Sequence, residues 1–210
     1  MLSALLDSLA PEPCCACGVG DAWGPLRVCP GCGRTLPMGV RTLTLPDPLR
    51  RGWALGPYEG ALGALVRAGK YAPRTALLAS LGHRLGSGLR DRAPDWDGVT
   101  WVPSSTVRRA SRGFDPAETV ARAVATALER PLLATLRRVE ASPQAARSDR
   151  QRRQAIRGAY VTLRPIGSER RLLLVDDVVT TGATLATCAD ALLCAGARAI
   201  DGAGVAARAL

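Results

Sequence analysis

The chain has 210 residues, nearly half of them apolar, few of them aromatic, and a formal net charge of +10. This length suits one medium domain with a small appendage, and the apolar share is enough to bury a sizeable core. The longest apolar stretches fall far short of the roughly 20 residues that cross a bilayer, so no membrane span is expected.

Residues 1–10 have Leu2, Leu5, Leu6 and Leu9 at helical spacing, which predicts a short amphipathic helix that docks on the body of the protein. This start has no basic n-region and carries Asp7 within its apolar part, so it does not read as a signal peptide and a cytoplasmic location is expected. Residues 11–37 are rich in Cys, Gly and Pro and suit a metal-held pair of knuckles. Residues 38–52 contain Pro46 and Pro48 and read as a linker or an edge strand.

From there strand-like and helix-like segments alternate, which predicts an α/β sheet. Strands are expected at 53–58, 99–102, 132–136, 158–163, 172–175 and 199–206, and helices at 59–69, 74–89, 116–129 and 183–195. The helix at 116–129 opens on a proline and spaces Val120, Val124 and Leu128 helically. The run from Leu172 to Val175 is wholly apolar, as a buried parallel strand is. The last helix puts Leu185, Cys188, Ala189 and Leu192 on one face, with Gly196 as its cap. A polar, basic loop is expected after the strand at 99–102.

Cys14, Cys17, Cys29 and Cys32 form two Cys-x2-Cys pairs. In a thiol-keeping compartment such pairs supply four thiolates for a tetrahedral structural Zn2+ site. Cys15 lies too close to its neighbours to be a natural ligand. Cys188 and Cys194 read as small core residues. His83, the sole histidine, sits mid-helix and reads as structural.

The basic excess admits two readings. It can serve a nucleic acid or an anionic substrate. It can equally reflect a compositional bias towards Arg, since Lys70 is the only lysine among 28 basic residues. That bias makes Lys70 notable, because Arg is the default cation in this chain.

The segment Leu172 to Thr184, LLLVDDVVTTGAT, runs from a buried strand through Asp176 and Asp177 into a turn and a helix. Free N–H groups and the dipole at a helix N-terminus suit a phosphate. Gly182 allows close backbone approach, and Thr180, Thr181 and Thr184 add hydroxyl donors. Carboxylates cannot bind that phosphate, but they can accept from the vicinal hydroxyls of a sugar or help place a magnesium ion. A ribose 5-phosphate fits this spacing. Any single Thr-Gly would be no more than a helix cap after a strand; the thirteen-residue pattern is longer than that needs. Residues 99–118 offer a second loop, with Pro103, Ser104 and Ser105 followed by Arg108, Arg109 and Arg112. These guanidinium forks can hold a pyrophosphate, or they can line a solvated loop; their place between strand and helix favours a second anion loop of the same site.

The Leu172–Thr184 pattern resembles the ribose-phosphate signature of type I phosphoribosyltransferases. That resemblance implies that Asp176 and Asp177 hold the ribose 2- and 3-hydroxyls and that Thr180, Thr181, Gly182, Ala183 and Thr184 hold the 5-phosphate. The order of features is similar to the competence-associated ComF family over most of the chain. The paired cysteines come first, then Tyr58-Glu59-Gly60, Lys70-Tyr71, Arg112-Gly113-Phe114, Gln144 with an Arg-rich stretch, and the ribose-phosphate signature. Asp115 and Pro116 stand where that family often has Asn-Gln, Arg147 where Leu is common, and Ala155 where Asn is common, with Tyr160 in the aromatic place.

The resemblance implies a short helix, zinc ribbon and linker over 1–50. It implies a phosphoribosyltransferase-like domain over 51–210, with a parallel sheet flanked by helices. The ligand would be phosphoribosyl diphosphate with Mg2+, its pyrophosphate held by Ser104, Ser105, Arg108, Arg109, Arg112 and Lys70. Residues 137–157 carry seven Arg against Glu140 and Asp149 and fall where that fold class has a hood over the acceptor. They can meet an anionic acceptor or nucleic acid, or form a solvated helix. Two functions follow from the resemblance. One is an enzyme that displaces pyrophosphate with a nucleophile. The other is a ligand-sensing or recruiting module without turnover. Either would act in uptake of single-stranded DNA beside a DNA-translocating helicase, and a homodimer is expected by analogy.

Overall fold

The structure is a computed structural model that describes residues 12–71, 74–92, 96–139 and 159–208. Its centre is a five-stranded sheet in the order β1-β2-β7-β6-β3. The strands are β1 (Arg41–Leu43), β2 (Gly52–Pro57), β3 (Gly98–Trp101), β6 (Arg171–Val179) and β7 (Ala199–Ala207). β2, β7, β6 and β3 run parallel, and β1 pairs antiparallel with β2 at the edge. The 38–52 segment is thus an edge strand over three of its residues. A separate antiparallel hairpin joins β4 (Leu136–Arg138) to β5 (Tyr160–Thr162).

The run Leu172–Val175 of β6 shows why the central part of a parallel strand is apolar on both faces. Leu173 and Val175 face a core built by α2 (Gly60–Gly69), α3 (Thr75–Leu89) and α5 (Pro116–Leu128). Leu172 and Leu174 face the opposite core, built by α6 (Ala183–Cys194) and the β4–β5 hairpin. Successive strand residues point to opposite faces, so a sheet covered on both sides needs an apolar residue at every position. The ribbon, which carries the short helix α1 (Pro30–Thr35), joins the first core through Cys14, Leu26, Val28 and Leu36.

Three expectations change. The basic loop after β3 is a short helix, α4 (Thr106–Arg112), which Ser105 caps by accepting from the Arg108 N–H at 3.3 Å. Ser at the N-cap position gives the physical reason, because its side chain replaces a missing helical partner. The strand expected at 132–136 shrinks to an isolated bridge from Leu132 to Val99, and the hairpin strand begins only at Leu136. Cys194 is exposed, whereas Cys188 is fully buried, so only the latter is a core residue. The helix expected at 1–10 lies outside the described residues, as do Gln144, Arg147, Arg152 and Ala155. Among the described residues no helix is long and apolar enough to cross a membrane.

Candidate functional site

Parallel strands leave a crevice beyond their carboxyl ends, and the sequence places its polar punctuation there. β2 is followed by Tyr58, β7 by Arg208, β6 by Thr180, and β3 shortly by Pro103 and Ser104. These ends and the hairpin enclose a cleft of about 310 Å3. Of the residues expected from the sequence, Lys70, Ser104, Arg108, Arg112, Asp176, Asp177, Thr180 and Thr184 all line it. Thr181, Gly182 and Ala183 complete the turn into α6. Ser105 is spent on the α4 cap, and Arg109 turns to Glu118 at 4.0 Å rather than into the cleft.

The turn is shaped by Gly182, whose φ of +75° is open to glycine at little cost. A Cβ there would meet Pro46 Cδ at 2.6 Å, so the linker also closes on this position. Gly182 is itself the N-cap of α6, and no side chain caps that helix. Within the turn, Thr181 Oγ1 accepts from the Ala183 N–H at a long 3.4 Å. The α6 N-terminus thus has no capping side chain from its N-cap residue, and its Thr184 lines the cleft; free N–H groups at a helix start are of the kind an anion can take.

Asp176 and Asp177 lie within the last residues of β6 before this turn; the strand runs past the expected 172–175 to Val179 and pairs Asp176 with Gly204 of β7. The Asp177 N–H donates to Asp176 Oδ1 at 2.8 Å. Lys70 Nζ lies 3.0 Å from Asp177 Oδ2. Burial, and then the neighbouring Asp177 carboxylate, push the Asp176 carboxyl up to about 7; the Asp177 N–H and Lys70 pull the other way without prevailing.

The β3–α4 loop is held from within. Asp115 Oδ2 accepts from the Ser104 N–H at 2.8 Å, and its Oδ1 accepts from the Ser104 hydroxyl at 3.1 Å and from the Ala117 N–H at 3.1 Å. Asp115 thus caps α5, with Pro116 at the first helical position, and anchors the loop in one stroke. The Asp-Pro pair that departs from the resembled family's Asn-Gln has this clear local use. Ser104 turns its donors inward, and the Arg108 and Arg112 side chains are the cationic groups of this wall that line the cleft.

Sequence reasoning missed Arg208, gave Tyr58 and Tyr160 no role in the site, and counted Arg138 only within the basic 137–157 segment. All four line the cleft. Arg208 and Arg67 both stand over the Tyr58 ring at 5.7 Å, and Arg138 stands over Tyr160 at 5.7 Å. In an Arg-rich chain a single Arg carries little signal. The one available clue for Arg208 is its position directly after a strand.

In the N-terminal ribbon the four cysteines come together, with all their Sγ atoms within 4.8 Å of one another. Tetrahedral Zn2+ with Zn–S near 2.3 Å needs sulfurs about 3.8 Å apart. Cys17 and Cys29 Sγ are 3.9 Å apart. Backbone N–H groups of Ala16 and Cys29 donate to Cys14 Sγ at 3.4 and 3.2 Å, and that of Cys32 donates to Cys29 Sγ at 3.5 Å. Donors of this kind favour thiolates, so the four cysteines fit a zinc ion.

No family model matches the chain. The DNA utilization protein YhgH of Salmonella typhi is 31% identical over 192 residues, covering 84% of this chain and 82% of that protein. The protein of the same name from Escherichia coli K12 is 29% identical over 192 residues, covering 83% and 81%. Among solved structures, the allosteric regulatory enzyme of purine biosynthesis aligns with 60% of this chain and 25% of that one, at 22% identity and a TM-score of 0.43. Glutamine phosphoribosylpyrophosphate amidotransferase from B. subtilis aligns with 60% and 26%, at 23% identity and a TM-score of 0.41. Orotate phosphoribosyltransferase from Aeropyrum pernix aligns with 77% and 72%, at 17% identity and a TM-score of 0.36.

Proposed function

We propose, from the premise that the chain belongs to the ComF family together with the DNA utilization proteins of Salmonella and Escherichia coli, that its cleft binds a phosphoribosyl diphosphate and that the protein serves DNA uptake. One observation carries the ligand: an uncapped helix N-terminus, two adjacent carboxylates and the Arg108 and Arg112 guanidiniums line a single cleft at the strand ends. The 5-phosphate takes the α6 N-terminus with Thr180, Thr181 and Thr184. The ribose hydroxyls donate to Asp176 and Asp177. The diphosphate, entering as its magnesium salt, lies against Arg108 and Arg112.

With an acceptor present, a nucleophile bonds to C1 as the C1–O bond breaks and the electron pair leaves with pyrophosphate. The protein's part is to position the reactants and stabilise the departing charge. The same site without an acceptor is a ligand sensor. The four-cysteine ribbon holds one zinc ion, which ties residues 12–37 to the body. The role in DNA uptake is supported by the relatives' DNA-utilization name and the net charge of +10, and a cytoplasmic location is proposed with it.

Titration calorimetry with phosphoribosyl diphosphate and magnesium tests the ligand, and pyrophosphate release over a panel of bases and amines tests turnover. Absence of binding at millimolar ligand would refute the site assignment. Binding without release over the whole panel would favour the sensor. Deletion of the gene should lower transformation frequency, and an unchanged frequency would remove the DNA-uptake role while leaving the ligand site intact.

A further inference from the structure

Lys70 is the only lysine of the chain, and it caps the C-terminal end of α2 rather than standing on either anion loop. Its side chain crosses the cleft to β6 and is largely buried: Lys70 keeps 20% of its side-chain exposure and Asp177 keeps 14%. A flexible surface lysine is screened and contributes little, but a pair this enclosed fixes both partners.

The consequence lies in which oxygens remain. Lys70 Nζ takes Asp177 Oδ2, and the Asp177 N–H takes Asp176 Oδ1. Among the described residues, Asp177 Oδ1 and Asp176 Oδ2 have no hydrogen-bond partner. Each carboxylate is thus pinned by one oxygen and offers the other, giving two free acceptors on adjacent residues.

We infer that Lys70 is a positioning residue for the sugar: by pinning Asp177 it aims one oxygen of each carboxylate at a vicinal diol, and it does not hold the diphosphate. This assignment rests on the ribose-phosphate reading and revises the diphosphate role that the sequence suggests for Lys70. The side-chain chemistry agrees. An ammonium is a compact point charge that meets one oxygen, whereas a guanidinium fork would engage both oxygens of Asp177 and leave none for a hydroxyl. The chain uses Arg for every other basic residue, and it uses Lys at the position where a fork would block the acceptor.

Two measurements test this. In the first, the wild-type protein and Lys70→Met are titrated separately with ribose 5-phosphate and with inorganic pyrophosphate. The expected result is at least tenfold weaker ribose 5-phosphate binding with pyrophosphate affinity changed by less than threefold. A fold defect would weaken both ligands together, and that result overturns the positioning role, as does a larger loss for pyrophosphate than for the sugar. The second needs no ligand. Lys70 carries the only side-chain amine, so reductive methylation followed by mass spectrometry reads its accessibility directly. Asp177→Asn should speed methylation of Lys70 severalfold relative to wild type, and equal rates would overturn the pairing. If the wild-type protein binds neither ribose 5-phosphate nor phosphoribosyl diphosphate while the methylation result holds, the ribose-phosphate reading fails and the Lys70–Asp177 bridge stands without a sugar to serve.

Discussion

Gly182→Ala and Gly113→Ala form a matched pair that isolates the contact between the linker and the turn after β6. The two glycines have nearly the same left-handed φ, +75° at Gly182 and +77° at Gly113. An alanine in this region costs about 1–2 kcal/mol whatever surrounds it. At Gly113 the added Cβ meets nothing within 4 Å, so that backbone cost is the whole effect. At Gly182 the Cβ would sit 2.6 Å from Pro46 Cδ, 3.2 Å from Leu45 Cδ2 and 3.3 Å from Pro46 Cγ. A proline ring cannot swing aside as the end of a flexible side chain does, so either the linker or the turn must move. Overpacking of this kind costs about 1–3 kcal/mol. The backbone cost is common to both variants and cancels in their difference. Gly182→Ala should therefore lose about 1–3 kcal/mol more stability than Gly113→Ala in urea titrations followed by tryptophan fluorescence. Equal losses within about 0.5 kcal/mol would refute the close packing of Pro46 on the turn.

Removing zinc with a chelator should melt residues 12–37 while the sheet survives, since that ribbon is too small to hold a core of its own; elemental analysis should give one zinc per chain, and its absence with freely reactive thiols would reject the site. Asp176→Asn should be more stabilising at high pH than at low pH. The folded carboxyl is raised from 3.8 to about 7, so its ionisation erodes wild-type stability as pH climbs through that window, whereas below it both states hold the proton. With the partial exposure discounted, the gain from the amide should be roughly 1–2 kcal/mol larger at pH 8 than at pH 5 by thermal denaturation, and a pH-independent effect would contradict the raised carboxyl. Cys194 should alkylate readily in the native protein while Cys188 does not, because Cys188 is fully buried and its thiol is pushed up by burial and by Asp176. Peptide mapping after brief iodoacetamide treatment reads both, and modification of Cys188 without unfolding would count against that packing.

Much of the architecture was legible because its signals are local. The apolar run at 172–175, the helical spacing of Val120 and Val124, and the four Leu185-face residues each encode their element and its buried side without reference to the rest of the chain. The paired cysteines are as local, since knuckle spacing fixes how close their sulfurs lie. The basic stretch after β3 was harder, because a seven-residue helix has too few apolar positions to show a period, and only its Ser105 cap marks it.

The site divides along the same line. Asp176, Asp177 and the Thr180–Thr184 turn are contiguous in the chain, so the sequence alone determined this half of the cleft. The rest of the cleft comes from strand ends far apart in sequence, and only the sheet order β2-β7-β6-β3 brings Tyr58, Arg208, Thr180 and Ser104 to one edge. Lys70 makes the contrast plainest. Composition marked it as unusual, but its partner is 107 positions away on another element, and a 3.0 Å contact across a cleft leaves no trace in either local sequence. Local periodicity and chemistry specify elements and contiguous loops; pairings between elements depend on how the core stacks them, and that is decided only when the chain has folded.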